Sequence, residues 1–198
     1  MTLQATLAGV GLFTGETCTV HVRASGGAPV SLSVAGGEEF PLSALSLART
    51  VLSTGVRLPT GATVLTVEHL FAALAGLGIR TGVTLDVVGP EIPLIDGCAR
   101  AFVTALLPFA GPRPSRPSVR VARLATRAID DSLYRFSPGD SVVVSVSFQS
   151  SNPAIVSDAR WEGSPHHFRT RIAGARTFAT QEDLEKYAED FRTVYNKA

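Results

Sequence analysis

Between residues 20 and 34 the apolar positions fall on every second residue. Val20 and Val22, then Val30, Leu32 and Val34, alternate with small or polar neighbours, the period of a sheet with one face buried. Gly26 and Gly27 lie between the two runs and predict a turn. A second strand-rich stretch is expected over residues 49–65, broken at Leu58-Pro59-Thr60-Gly61. The period then changes. Leu70, Ala73, Leu74 and Leu77 recur at helical spacing, with Thr66 placed to cap the helix start and Gly76 and Gly78 placed to stop it. Residues 81–88 (TGVTLDVV) return to strand. Ala99, Phe102, Val103, Leu106 and Leu107 share one face of a second helix that Pro108 ends. A sheet with two helices on one face is an α+β, two-layer architecture.

The pattern then restarts after a break. Residues 108–118 (PFAGPRPSRPS) are rich in proline, glycine and serine, the composition of a boundary. It divides the chain into a first α+β domain at 1–111, a linker at 112–118 and a partial second α+β domain at 119–198. Strands are expected at residues 119–124, 133–136 and 141–148. A third helix begins at Ser164-Pro165, with serine as N-cap and proline at the first helical position, and carries Phe168, Ile172 and Ala175 on its inner face. A fourth has Thr180 as N-cap and Asp183 three residues on, with Leu184, Tyr187, Ala188 and Phe191 as its apolar stripe. The two units are thus related and the second is incomplete. A unit of about 80 residues buries proportionally little surface, so it leans on the first unit or on a partner.

Composition narrows the class. With 45% hydrophobic and 18% charged residues the chain can build a sizeable core. A formal net charge of +1 gives no bulk electrostatic grip on nucleic acid or anionic membranes. Five arginines cluster in residues 113–127, but no aromatics interleave to stack bases. Cys18 and Cys98 make no disulfide framework and read as small buried hydrophobes of a reducing compartment. The start lacks the basic region of a signal peptide, and no apolar run approaches the ~20 residues of a transmembrane segment. A soluble, cytoplasmic protein is expected.

Glu68-His69 is the pair that draws attention to chemistry. In the first turn of a helix, unsatisfied N–H groups and the dipole favour a carboxylate, and a nearby histidine stays neutral more readily, as a metal ligand must. One reading makes His69 a ligand and Glu68 a general base; the other makes them ordinary helix-start residues. Catalytic zinc wants three protein ligands. The other histidines offer little: His166 and His167 read as an exposed helix-start pair, and His21 as a surface or edge residue of a strand. Asp96-Gly97 reads as a turn and helix cap.

Several motifs now combine. TVEH at residues 66–69, LAGLGI at 74–79, GPEIPLIDG at 89–97, the glycine-rich turn GVGLFTG at 9–15, FQSSNPAI at 148–155 and ARTF at 175–178 follow in this order. The chain resembles the zinc-dependent UDP-3-O-acyl-N-acetylglucosamine deacetylase family of lipid A synthesis over essentially its whole length. The resemblance implies that His69 is the first zinc ligand and Glu68 the general base that activates water. It implies that Thr177 and Phe178 line the substrate site, that Leu52 lies in an insert shaping the pocket, and that Asp183 matches an acidic position of undefined role. The substrate it implies is an acylated, UDP-linked amino sugar, which loses its N-acetyl group as acetate. The chain also departs from the pattern. Phe13 stands where the family has histidine in a GLHTG turn, Asn152 where histidine precedes Pro153, and Ser53 where some members have cysteine. The family's later HKxxD and SGH segments have no counterpart, so most of the metal site is expected to be absent from this chain. Three readings follow: a shortened or split deacetylase completed by a second chain, a non-catalytic relative that binds a nucleotide sugar or acyl group, and an assembly protein with an exposed apolar interface.

Overall fold

The computed structural model describes residues 3–48, 50, 53–111, 120–149, 155, 158–178, 181 and 185. Leu52, the 112–118 segment, Asn152, Thr180 and Asp183 lie outside the described residues, as does the helix expected from Thr180 apart from Gln181 and Glu185. In chain order the first part contains β1 (Gln4–Val10), β2 (Thr17–Pro29), β3 (Ser31–Val34), β4 (Phe40–Pro41), β5 (Ser46–Ala48), β6 (Gly55–Arg57), β7 (Thr63–Val64), α1 (Glu68–Leu77), β8 (Thr81–Val88) and α2 (Arg100–Leu106). Five strands form one sheet in the order β1-β2-β8-β3-β4, and β5, β6 and β7 form a smaller one. Sheet and helices together make the α+β fold.

Strand alternation sorts the main sheet into two faces. Leu7, Val20, Leu85 and Leu32 belong to the buried core with Leu70, Leu74 and Phe102 of the helices. The register keeps them together, since Leu7 opposes Val20, Val22 opposes Leu85 and Leu85 opposes Leu32. The opposite face is a polar ladder in which Thr6, His21, Asp86 and Ser33 are successive cross-strand partners. There the Ser33 hydroxyl donates to Asp86 Oδ1 at 2.6 Å, and Glu39 accepts from the Thr84 hydroxyl at 2.9 Å while pairing with Arg23 at 3.2 Å. His21 therefore lies in an interior strand, not at an edge, and its ring shares a 3.2 Å hydrogen bond with Thr6. Gly26 and Gly27 do not form a turn between strands. They sit inside β2 with φ of 61° and 93°, where the pairing with β8 shifts between Ala24 and Pro29; glycine is what such a bulge needs.

The apolar spacing of α1 is realised, because Leu70, Ala73, Leu74 and Leu77 are all buried. Gly78, at φ 73°, ends the helix in the left-handed conformation. Gly76 does not stop it; it lies within the helix, and a Cβ there would run into the ring of Phe168. Thr66 is not the N-cap. The cap position is Val67, and Thr66 adopts φ 56° with its side chain engaged elsewhere. In α2, Phe102, Val103 and Leu106 are buried, but Leu107 passes into a 3-10 turn, Leu107–Phe109, and becomes exposed.

Beyond residue 119 the strands are β9 (Ala125–Ile129), β10 (Ser132–Phe136), β11 (Val144–Ser147) and β12 (Asp158–Trp161), paired as β9–β10 and β11–β12. The strand expected at 119–124 is displaced: residues 120–124 are outside any strand. The cause is the tight Asp130-Asp131 turn, with Asp130 at φ 49°, which sets Ile129 opposite Ser132 and starts the ladder at the turn. Helix α3 (Pro165–His167) begins as the sequence predicts, with the Ser164 hydroxyl accepting from the His167 amide at 3.1 Å. It widens at once into a π-type turn over Phe168–Ile172, closed by the Ala173 amide on the Phe168 carbonyl at 2.8 Å. The extra residue in that turn moves the inner face: Ala173 is buried and Ala175 is exposed.

Phe168 is the point where this segment meets α1. It is buried over Gly76 and stacks edge-to-face on Trp161 at 6.1 Å between centroids. Glycine to alanine inside a helix ordinarily gains about 1 kcal/mol. Here Gly76→Ala is expected to lose stability, by about 1–3 kcal/mol of overpacking, and to become neutral or better in a Phe168→Ala background. Urea denaturation of the four members of that cycle checks it; a stabilised single Gly76→Ala variant would contradict the contact.

Candidate active site

Glu68 is the first residue of α1 and His69 the second, so both lie in the turn whose amides are unsatisfied. A reciprocal link fixes this turn. The Val67 amide donates to the Thr54 carbonyl at 3.0 Å, and the Thr54 amide donates to Glu68 Oε2 at 3.2 Å. Thr54 thereby holds the Glu68 side chain as well as the helix entry. His69 is half-buried, and among the described residues its ring makes no hydrogen bond or ion pair. Ser53 lies beside the same link, its carbonyl accepting from the Thr50 hydroxyl.

The residue that organises this region is Glu91. It is fully buried, yet among the described residues it forms no ion pair. Instead Oε1 accepts from the Leu12 amide at 3.0 Å and from the Thr66 hydroxyl at 2.6 Å, while Oε2 accepts from the Phe13 and Thr14 amides at 3.1 Å and from the Thr14 hydroxyl at 3.0 Å. A Cβ on Gly11 would overlap this carboxylate, so glycine there lets the loop close on it. The backbone around Glu91 is equally committed: Leu65 donates to Pro90, Ile92 donates to Leu65 at 3.0 Å, and Leu94 donates to Val10 at 3.1 Å. Periodicity and spacing along the chain assign Glu91 no role. The available signal was a single charge within the apolar run of residues 87–95.

The next residues of the same segment hold the other expected site. Asp96 Oδ1 accepts from the Cys98 amide at 3.3 Å and Oδ2 from the Cys98 thiol at 3.2 Å, the Asx turn that the sequence predicts. It does not cap α2, which starts at Arg100 behind Ala99 with no side-chain cap. The turn grips residues 173–177. The Ala99 amide donates to the Ala173 carbonyl at 3.0 Å, the Thr177 amide to the Gly97 carbonyl at 2.8 Å, and Arg176 Nε to the Asp96 carbonyl at 3.1 Å. Thr177 and Phe178 are exposed beside it, and Phe178 meets Phe148 edge-to-face at 6.1 Å. Residues 91–98 thus touch the Glu68-His69 turn through Thr66 and the Thr177-Phe178 pair through Gly97.

Cys18 and Cys98 are buried free thiols, and burial pushes the Cys18 thiol above its ordinary range. His166 is exposed, and His167 Nδ1 accepts from the Glu162 amide at 3.2 Å. Among the described residues no three His, Cys, Asp or Glu side chains come together as a metal group.

The Cys98 thiol, with its amide and the Arg176 guanidinium, holds the Asp96 carboxyl below the usual carboxylate range. A lowered folded-state value means the contribution is complete above the unfolded value, about 3.9, and is lost as pH falls through the folded one. Stability is therefore expected to decline with acidification below about pH 4, and Asp96→Asn is expected to flatten part of that decline. Denaturation midpoints at successive pH values test this; identical acid limbs in both proteins would contradict it.

Known proteins match this arrangement of motifs. The model of the UDP-3-O-acyl N-acetylglycosamine deacetylase family, LpxC, matches residues 1–191. A UDP-3-O-acyl-N-acetylglucosamine deacetylase of Anaeromyxobacter sp. (strain Fw109-5) is 35% identical over 187 residues, covering 90% of this chain and 60% of the relative. Enzymes of the same name from Citrifermentans bemidjiense and Mannheimia succiniciproducens are 34% and 32% identical, covering 92% and 89% of this chain and 61% of each relative. The chain spans about three fifths of the length of these relatives. With the match running from the glycine-rich turn through the Glu68-His69 helix to residue 191, the chain belongs to the UDP-3-O-acyl-N-acetylglucosamine deacetylase family.

Proposed function

We propose that this chain supplies the base and one metal ligand of a centre that deacetylates a UDP-linked, 3-O-acylated N-acetylglucosamine. The observation that carries the reading is the Glu68-His69 turn, with Glu68 held by the Thr54 amide and His69 left without a competing bond among the described residues. Glu68 takes the proton of a water that attacks the acetamide carbonyl; the C–N bond breaks, acetate forms and the sugar nitrogen leaves as an amine. Thr177, Phe178 and Leu52 contact the substrate. Lipid A synthesis in the cytoplasm is the setting that goes with this reaction. Among the described residues no helix is long and apolar enough to cross a membrane.

Zinc is the metal implied by the resemblance. The described residues do not fit it unaided, since the Glu68-His69 turn brings a single imidazole and no three His, Cys, Asp or Glu side chains gather there or elsewhere among them, whereas a catalytic zinc takes three. The remaining ligands belong to the part of the family's length that this chain does not contain, joined to it or carried by a second chain. The reading is tested by extending the chain with the remaining portion of the Anaeromyxobacter relative. The extended protein is expected to hold about one zinc and to release acetate. His69→Ala should lose the zinc, while Glu68→Gln should keep it and lose about 10²-fold or more in rate. No zinc in the extended protein would overturn the reading and favour a non-catalytic relative, for which Phe13 in place of the family histidine already speaks.

A further inference from the structure

We infer that Glu91 is a positioning residue for the Glu68-His69 turn, acting through Thr66; this rests on the deacetylase reading above. Thr66 is the observation that points there. It is β-branched, and it is held at φ 56°, a conformation that costs such a residue free energy and persists only where its surroundings impose it. What imposes it is visible: its hydroxyl donates to Glu91 Oε1 at 2.6 Å, and the neighbouring Leu65 amide donates to the Pro90 carbonyl at 3.0 Å. The left-handed Thr66 turns the chain out of its bridge with Glu91 and into α1, so that Val67 meets Thr54 and Glu68 follows as the first helical residue. On its other oxygen the same carboxylate gathers the Phe13 and Thr14 amides. One buried side chain therefore sets the helix entry and the 11–14 loop in a common frame. Every partner donates, so an amide in its place would turn one NH2 toward N–H or O–H donors and break half of the set. Glu91 reaches neither water nor sugar in this role. It fixes where the base and the ligand stand.

Thr66 allows the hydrogen bond to be separated from bulk stability. The native chain, Thr66→Ser, Thr66→Val and Glu91→Gln would be compared by amide and imidazole NMR without metal. Thr66→Val and Glu91→Gln are expected to shift the Thr54 amide and the His69 ring signals and to speed Thr54 amide exchange about tenfold. Thr66→Ser, which keeps the hydroxyl, is expected to restore the native signals. The β8 amides of Val83, Leu85 and Val87 serve as the control for the fold, and if Glu91→Gln fails to fold the serine–valine pair decides. Unmoved Thr54 and His69 signals in Thr66→Val would overturn the inference, as would equal shifts in the serine and valine variants. A second arm measures zinc affinity in the extended protein, where Thr66→Val should weaken it about tenfold and Thr66→Ser should not. Absence of zinc from every version would tell against the deacetylase reading and would leave the metal-free comparison intact.

Discussion

A carboxylate taken out of water without a cation costs several kcal/mol unless donors surround it. Glu91 meets that condition with three backbone amides and two hydroxyls. Those donors come from two places far apart in sequence, the loop after β1 and Thr66, two residues ahead of α1. Satisfying one side chain therefore brings both places together, and neither can drift without leaving a buried acceptor short of partners. Gly11 belongs to the same constraint, because any side chain there would occupy the space of the carboxylate.

From that anchor the rest follows along the chain. Residues 90–92 bridge to Leu65, Leu94 returns to Val10, and the Asp96 turn holds residues 173–177. The five-stranded sheet supplies the rigid base, its apolar face closed by α1 and α2 and its polar face crossed by the Thr6, His21, Asp86 and Ser33 ladder. Phe168, wedged over Gly76, ties the later segment to the same helix that carries Glu68 and His69. The two sets of residues assigned to chemistry thus hang from the two ends of one eight-residue segment, residues 91–98.

What could be read from the sequence was what depends on local periodicity. The buried face of α1 and the strand character of β2, β3 and β8 followed from apolar spacing, and the start of α3 from a serine before a proline. What was misread depends on partners remote in sequence. Thr66 looks like a cap because threonine before a helix usually is one, but Glu91, 25 residues on, recruits its hydroxyl. Gly76 looks like a helix stop until Phe168 is seen to need the space. Ordinary helical spacing puts Ala175 inward, and the π-type turn puts Ala173 there instead. For the site, the pairing of Glu68 with His69 on one turn was legible, and the motifs carried the family. The hold of Thr54 on Glu68 and the buried Glu91 were not, since a lone glutamate between prolines announces neither its burial nor its donors.

The Glu91 carboxylate binds the loop of residues 11–14 to the helix entry. Native-state hydrogen exchange at Leu12, Phe13 and Thr14 tests it directly, because these amides lie in a loop and donate to this carboxylate. Protection close to that of the β8 amides is expected, lost only when the sheet itself opens. Exchange at the rate of an exposed loop, with β8 still protected, would contradict it.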